Sequence, residues 1–551
     1  MAIMANKDVV KVLAAIGVLT QSTAMAEPMF KPSLTTNAVG LYQKSAAGKD
    51  RVGSLDIAPS LSFSEEGKTL STSASVGGSF ITFRDSVRDD ESYMTYNWRN
   101  QLKLLGDSVV VGFSTSQDYR IAGNGSFGGR GLDKYNASDR LVKSRSTQLT
   151  ESWKFDRSTY WSLNANFSLS DYRSDGLEDE TLTTSDPLLS SVDLDNQVAS
   201  INLQLDSRDR SRAFFWGITA NHNNTSRQQL GDLTTKSLYG VVGMPFFYTI
   251  KMIGQARVER NSGLTETETS SLFASAANYR SVGGGLEWQI GNQSYWNVTY
   301  NTLMSNEGNK AYVGTQLEFK PTRRTKLSAT LDRRFFGRTA EFSGEYTTQH
   351  LRMKISGSDQ VGSLLALSSA GASTGLYVCP PGATPSLDSC FQPPTKDYIP
   401  RVGENYYNIS TPGTDLNEFT VIRRSADFVL GYDFNRLKLQ SQIGRRKDTY
   451  VNQNSVRDER NFGASANYEL NKRMSASLNF NVSDSSSDDV TVTPIESSFS
   501  GEFRNVSFSL NRQMNKQLSG VLQVSRSNND YDNEEFAFNE NRLTLTLTYQ
   551  L

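Results

Sequence analysis

Histidine is almost missing: His222 and His350 are the only two in 551 residues. That scarcity argues against His-based metal sites and most His-dependent catalysis. Cysteine is as rare. Cys379 and Cys390 stand with ten residues between them in a stretch rich in Pro, Gly and Ser. Long apolar runs are absent too. After the first few dozen positions no stretch of about 20 apolar residues occurs, as a membrane-crossing helix needs. Hydrophobic residues make up 37% of the chain and the mean hydropathy is −0.48. A net charge of −1 provides no electrostatic footprint for nucleic acid and no pull on an acidic partner.

What is present begins with an export signal. Lys7 and Lys11 supply a positive end, Val9 to Leu19 a short apolar stretch, and Ala24-Met25-Ala26 a small-x-small cleavage site. Residues 1–26 are therefore expected to be a signal peptide, leaving 27–551 as one domain. In an exported protein Cys379 and Cys390 read as a disulfide closing a small loop.

Period-2 alternation runs from about residue 34 to the last residue. Trp161, Leu163, Ala165, Phe167 and Leu169 fall on one face, with Ser162, Asn164, Asn166 and Ser168 on the other. Met474 to Val482 repeats the design. Successive side chains of a strand point to opposite faces, so each segment has one apolar and one polar wall. The segments run roughly 9 to 15 residues, longer than ordinary strands, and a tilted bilayer-crossing strand needs about 9 to 11. Tight links alternate with long polar loops. The tight ones include Leu105-Gly106-Asp107, Asp156-Arg157-Ser158, Asn292-Gln293-Ser294, Asn435-Arg436, Asn471-Lys472-Arg473 and Asn515-Lys516-Gln517. This rhythm predicts an all-β, transmembrane, antiparallel up-and-down barrel of about 24 strands (roughly 22–26) in the outer membrane of a Gram-negative cell. An even count puts both termini and the tight turns in the periplasm. The count is least defined over Ser237 to Arg260, where Pro245-Phe246-Phe247 blurs a turn.

The C-terminus carries an assembly signal. Leu543, Leu545, Leu547, Tyr549 and Leu551 alternate with Thr544, Thr546, Thr548 and Gln550. Aromatics near strand ends, such as Tyr432 and Phe434 beside Asn435, suit the membrane interface. The expected partners are outer-membrane lipid and lipopolysaccharide, and the barrel assembly machinery.

Gly123-Asn124-Gly125-Ser126-Phe127-Gly128 matches a dinucleotide fingerprint but lies in a loop between alternating strands rather than in a βαβ unit. The acidic residues from Asp171 to Asp195 fit no standard calcium loop and read as a solvated outer loop. No catalytic, cofactor-binding or metal-binding residue is expected, and no cofactor. Arg423, Asp427, Lys438 and Arg446 fall on the polar face of two successive strands. A charge near the lipid midplane costs about 2–4 kcal/mol, so these four are expected in the lumen. There they form either a polar track for an acidic or hydroxyl-rich polymer or a solvated wall of ion pairs. The longest irregular stretch, about 359–417, holds both cysteines, Leu364, Leu365 and Leu367, and prolines that include Pro380, Pro381, Pro385, Pro393 and Pro394. It is expected to be an extracellular loop that either narrows the pore or caps the surface.

Four stretches carry a family resemblance: Gly53-Ser54-Leu55-Asp56-Ile57-Ala58-Pro59-Ser60-Leu61, Arg333-Arg334-Phe335-Phe336-Gly337, Arg423-Arg424-Ser425-Ala426 and Asn539-Glu540-Asn541-Arg542. The chain resembles the PEP-CTERM-system-associated outer-membrane barrels, which are encoded with exopolysaccharide synthesis clusters. The resemblance implies a non-enzymatic role in outer-membrane passage of exopolysaccharide, with the polysaccharide and a periplasmic export partner. A general diffusion porin and a structural surface scaffold remain the alternatives.

Overall fold

A computed structural model of the chain describes residues 29–550, apart from 46–47, 85–87, 107, 122–132, 137–140, 157, 159, 176–193, 208–209, 211–213, 229–230, 264–277, 292, 305–309, 364–372, 380–404, 411–419, 452–454, 489–498 and 533–536. Among the described residues there is no helix. The first strands are β1 (Met29–Ser45), β2 (Gly48–Glu66), β3 (Leu70–Phe83), β4 (Glu91–Leu104), β5 (Val109–Ile121), β6 (Leu141–Phe155), β7 (Trp161–Ser174) and β8 (Leu194–Ser207). Next come β9 (Phe215–Arg227), β10 (Leu233–Phe247), β11 (Ile250–Ser262), β12 (Asn278–Gly291), β13 (Ser294–Leu303), β14 (Lys310–Thr322), β15 (Thr325–Arg334), β16 (Gly337–Thr347) and β17 (Leu351–Ser363). A short pair, β18 (Ser373–Cys379) and β19 (Asn405–Ser410), forms its own two-stranded sheet. The wall resumes with β20 (Thr420–Phe434), β21 (Leu437–Tyr450), β22 (Val456–Asn471), β23 (Met474–Asp488), β24 (Phe499–Gln513), β25 (Leu518–Tyr531) and β26 (Phe538–Gln550).

The wall is one 24-stranded sheet in which each strand pairs antiparallel with its chain neighbours, β17 pairing directly with β20. β1 pairs with β26 from Ser33↔Gln550 to Ser45↔Phe538, so the ring closes and no edge is left. Closure is what allows strands to cross hydrocarbon, because every ladder group finds a partner. Over Ser237 to Arg260 the turn lies at Tyr248 and Thr249. Pro245, which has no N–H to donate, sits at the register shift beside it.

Alternation divides the wall as the composition demands. Leu543, Leu545, Leu547 and Tyr549 face outward and are exposed, while Thr546 and Thr548 between them are buried on the inner face. Trp161 and Leu169 point outward on β7, and Phe480 and Leu478 on β23. Polar side chains inside and a continuous apolar belt outside are the inverse of a soluble protein, and they make this a transmembrane barrel.

One end, here the near end, holds both ends of the wall, Met29 and Gln550, and every connection there is short. The tight links read from the sequence all lie at it. Asn435 and Leu105 adopt the left-handed backbone that such turns require, and Gly106 does so without steric cost. Trp153, Trp161, Trp288, Trp296, Tyr432 and Phe434 are exposed along this edge of the belt. The far end carries the long connections 122–140, 175–193, 263–277 and 364–419. The irregular stretch is shifted from the expected 359–417: β17 runs on to Ser363, and β20 begins only at Thr420.

Candidate functional site: the lumen and what enters it

The inner wall is not uniform. On β6–β9 it is built from hydroxyls and amides. Register and shared parity place Gln148, Asn166, Ser168, Asn202 and Asn221 on one inner face. They bond to one another: Ser168 to Ser200 at 2.6 Å, and Asn202 to Asn221. Most of this wall is only half-buried, so it borders open lumen.

The sector from β11 to β15 is different. Arg257 of β11 pairs with Asp332 of β15 at 2.9 Å, and Arg334 of β15 with Glu259 of β11 at 3.0 Å, although three strands stand between. Tyr279 of β12 donates its hydroxyl to the Arg333 carbonyl at 2.7 Å. Strands in a sheet are about 4.8 Å apart, so β11 and β15 lie roughly 19 Å apart along the wall. The contacts therefore run across the interior as chords, with the tip of the β15–β16 hairpin folded inward. At the far end Arg227 of β9 donates to Thr420 of β20 at 2.9 Å. Eight strands, β10 to β17, separate them along the ring. That contact pinches off a lobe walled by ten strands, β9 to β17 and β20, not far above the eight-strand size that side chains alone can fill. Glu259, Glu287, Asn297, Thr299 and Asn301 are all buried in it.

Two connections enter the lumen. From the near end, Arg210 reaches into the lobe and clamps Glu287, with Nε at 3.0 Å and Nη2 at 2.7 Å from one carboxylate oxygen. Its guanidinium lies over the rings of Tyr295 and Phe215, at 4.0 and 4.6 Å from their centroids. Lys251 caps the Arg210 carbonyl. From the far end, the turn Asp133–Asn136 docks on β1–β3 and β26. Lys134 and Tyr135 both donate to Asp56, at 2.8 and 2.9 Å. Asn136 donates to Glu540 at 2.8 Å, and Arg542 pairs with Asp133 and Glu540. Burial and the Asp56 carboxylate push the Tyr135 hydroxyl up, so it remains a neutral donor.

This turn docks where the inner wall breaks its own rule. Leu41, Val52, Ile81 and Phe83 are apolar residues on the inner face, and Tyr93 and Tyr135 pack against them. The turn has no signature of its own in the sequence, since a four-residue segment of a polar loop carries no periodicity. The usable signal was the parity break: Val39 and Leu41 lie out of phase with outward Leu34 on the same strand.

The four residues expected in the lumen lie on two neighbouring strands and share the inner parity. Arg423 is buried and pairs with Asp448 through two bonds, at 2.8 and 2.9 Å. Arg446 reaches Glu459 at 2.5 Å and Asp448 at 3.5 Å, and Lys438 reaches Glu469 at 3.3 Å. Asp427 faces Gly444, where an added Cβ would stand 2.7 Å from its carboxylate oxygen. The three cations thus meet the protein's own carboxylates.

The remaining candidates are less informative. His350 lies in the near-end turn beside Tyr432, and His222 on β9 within the wall. Asp171 and Asp195 flank Arg173 on β7 and β8, but most of the acidic loop between them lies outside the described residues. So do the signal peptide, the 123–128 glycine motif, Cys390 and Leu551. Cys379 ends β18, and its pairing is therefore outside them as well. Among the described residues no cluster of His, Cys, Asp and Glu could hold a metal ion.

No family model and no curated protein matches the chain. Solved structures do. The FrpB iron transporter from Neisseria meningitidis (F3-3 variant) is 9% identical with a TM-score of 0.40, over 95% of this chain and 81% of that one. OccK2 (OpdF) of Pseudomonas aeruginosa is 10% identical with a TM-score of 0.33, over 96% and 100%. The siderophore receptor PirA of the same species is 8% identical with a TM-score of 0.37, over 96% and 81%. At such identity and scores the likeness carries no function across to this chain.

Proposed function

We propose that the chain is a non-enzymatic barrel of the Gram-negative outer membrane that takes part in export of exopolysaccharide. The near end then faces the periplasm and the far end the outside. One observation carries the reading: the half-buried amide and hydroxyl wall of β6–β9 lines the part of the lumen that the ion-paired lobe leaves unfilled. A hydroxyl-rich polymer can exchange hydrogen bonds along such a wall, whose charged side chains Lys154 and Asp206 stand toward its near end. The resemblance to exopolysaccharide-locus barrels agrees with it. The assembly machinery would read Leu543, Leu545, Leu547, Tyr549 and Leu551, and export would need a separate periplasmic partner. The test is deletion of the gene in its own host. Surface polymer should fall while cell-associated polymer persists or accumulates; normal surface polymer would sink the reading.

The second reading, a diffusion porin, is favoured by the polar lumen alone. It requires a constitutively open channel in planar bilayers. The Arg227–Thr420 pinch and the two docked connections favour a narrowed one instead. The 364–419 connection, with a Cys379–Cys390 disulfide, is a further candidate for narrowing the mouth. If it does so, removing residues 362–414 raises conductance sharply.

A further inference from the structure

The outer surface of the wall has unlike edges. Its near edge is aromatic. Its far edge is basic. On strand after strand, the outward residue two positions beyond an exposed apolar one is arginine. Arg280 follows Val282, Arg445 follows Ile443, Arg460 follows Phe462, Arg504 follows Val506 and Arg526 follows Val524. All five arginines are exposed. Their level fits a bilayer. Arg424 stands ten residues up β20 from Phe434. At 3.4 Å per residue and a tilt near 40°, that is about 26 Å, the height of the apolar band of such barrels.

The register sets these cations against one another. Lys236 lies opposite Arg260, Arg333 opposite Arg338, Arg424 opposite Lys447, and Arg445 opposite Arg460. Like charges directly opposite destabilise a sheet. The protein answers only part of this itself. Asp458 takes Arg445 at 2.6 Å and Glu502 takes Arg504 at 2.6 Å, both from one step farther out than the arginine layer. Within the layer, Asp484 lies opposite Arg460, and Asp359 lies opposite Arg424 and meets it at 3.8 Å. Among the described residues no carboxylate pairs with Lys236 or Arg260.

We propose that this edge binds the phosphate groups of the outer-leaflet glycolipid, the bis-phosphorylated lipid A headgroup. The proposal rests on the outer-membrane reading above, but not on export of a polymer. Guanidinium groups suit phosphate because their paired N–H donors match its oxygens. An anion between two facing cations also removes the repulsion that the register builds in. The position, directly above the hydrocarbon belt and at the end with the long loops, is where those phosphates lie.

The experiment adds bis-phosphorylated lipid A, or its dephosphorylated form, to the purified full-length barrel in detergent and counts bound lipid by native mass spectrometry. The barrel should hold the bis-phosphorylated lipid and lose the dephosphorylated one. The double variants K236Q/R260Q and R445Q/R460Q should each bind about 25-fold more weakly, since each basic residue near an anionic surface contributes roughly fivefold. The first pair carries the inference if the second disturbs Asp458, and both must keep the heat-modifiable mobility of a folded barrel. Equal retention of the two lipids overturns the proposal, as does unchanged binding in K236Q/R260Q. Polymer export plays no part in the readout, so its failure and this one are separable.

Discussion

Arg227, the last residue of β9, donates Nη1 to the Thr420 hydroxyl at the start of β20, at 2.9 Å across the far mouth of the barrel. Along the wall the two strands are roughly 43 Å apart, nine steps of about 4.8 Å. The contact therefore fixes the cross-section of the mouth, which strand count alone would leave wide. With both native cysteines replaced by serine, R227C/T420C should be joined by a short thiol cross-linker within one chain. Controls pairing 227 with a near-end site such as 472 should not react. An unreactive 227/420 pair would mean the mouth is round.

The clamp of Arg210 on Glu287 is the second check. Glu287 is wholly buried, and removing its cation strands the charge. R210A should destabilise the barrel by about 3–5 kcal/mol, the cost of breaking a buried pair from one side. R210A/E287Q should recover most of that loss. Urea titration followed by heat-modifiable mobility measures both, and equal losses in the single and double variants would remove the pair from any structural role.

The docked turn offers a change with two readouts. Y135F removes one bond to the Asp56 carboxylate, worth about 1.5–3 kcal/mol at most for a charged acceptor. Combined with K134M it removes every bond of the turn to Asp56, leaving those of Asn136 and Asp133 and the bond from Arg88 to the carbonyl of residue 135. Single-channel conductance of the double variant should rise above that of the parent, with stability reduced. A stability loss at constant conductance would make the turn a brace on the wall and nothing more.

Topology can be read on intact cells. Cysteines within the 176–193 connection should react with a membrane-impermeant thiol reagent. Cysteines at Lys472 or Arg436 should react only after the outer membrane is opened. The reverse pattern would invert the barrel.

Truncation after Asn541 removes most of β26, and with it the pairings of Leu543–Gln550 to β1. The open edge has no partner in lipid. Such a chain should fail to reach the outer membrane as a heat-modifiable band, and its normal appearance there would contradict closure through β26.

Alternation alone was enough to derive the barrel. Trp161 to Leu169 and Leu543 to Tyr549 face lipid because neighbouring residues of a strand must point to opposite sides, and hydrocarbon accepts only one of them. The even strand number, the near-end turns and the shared face of Arg423, Asp427, Lys438 and Arg446 follow from the same local rule. What occupies the lumen does not. Arg227 meets Thr420 from 193 positions away, and Asp133 meets Arg542 from 409. The partners of those side chains depend on how a closed ring flattens and which loops fold back into it. Only the tertiary structure brings such distant positions together, because side-chain alternation along one strand carries no information about the strand across the lumen.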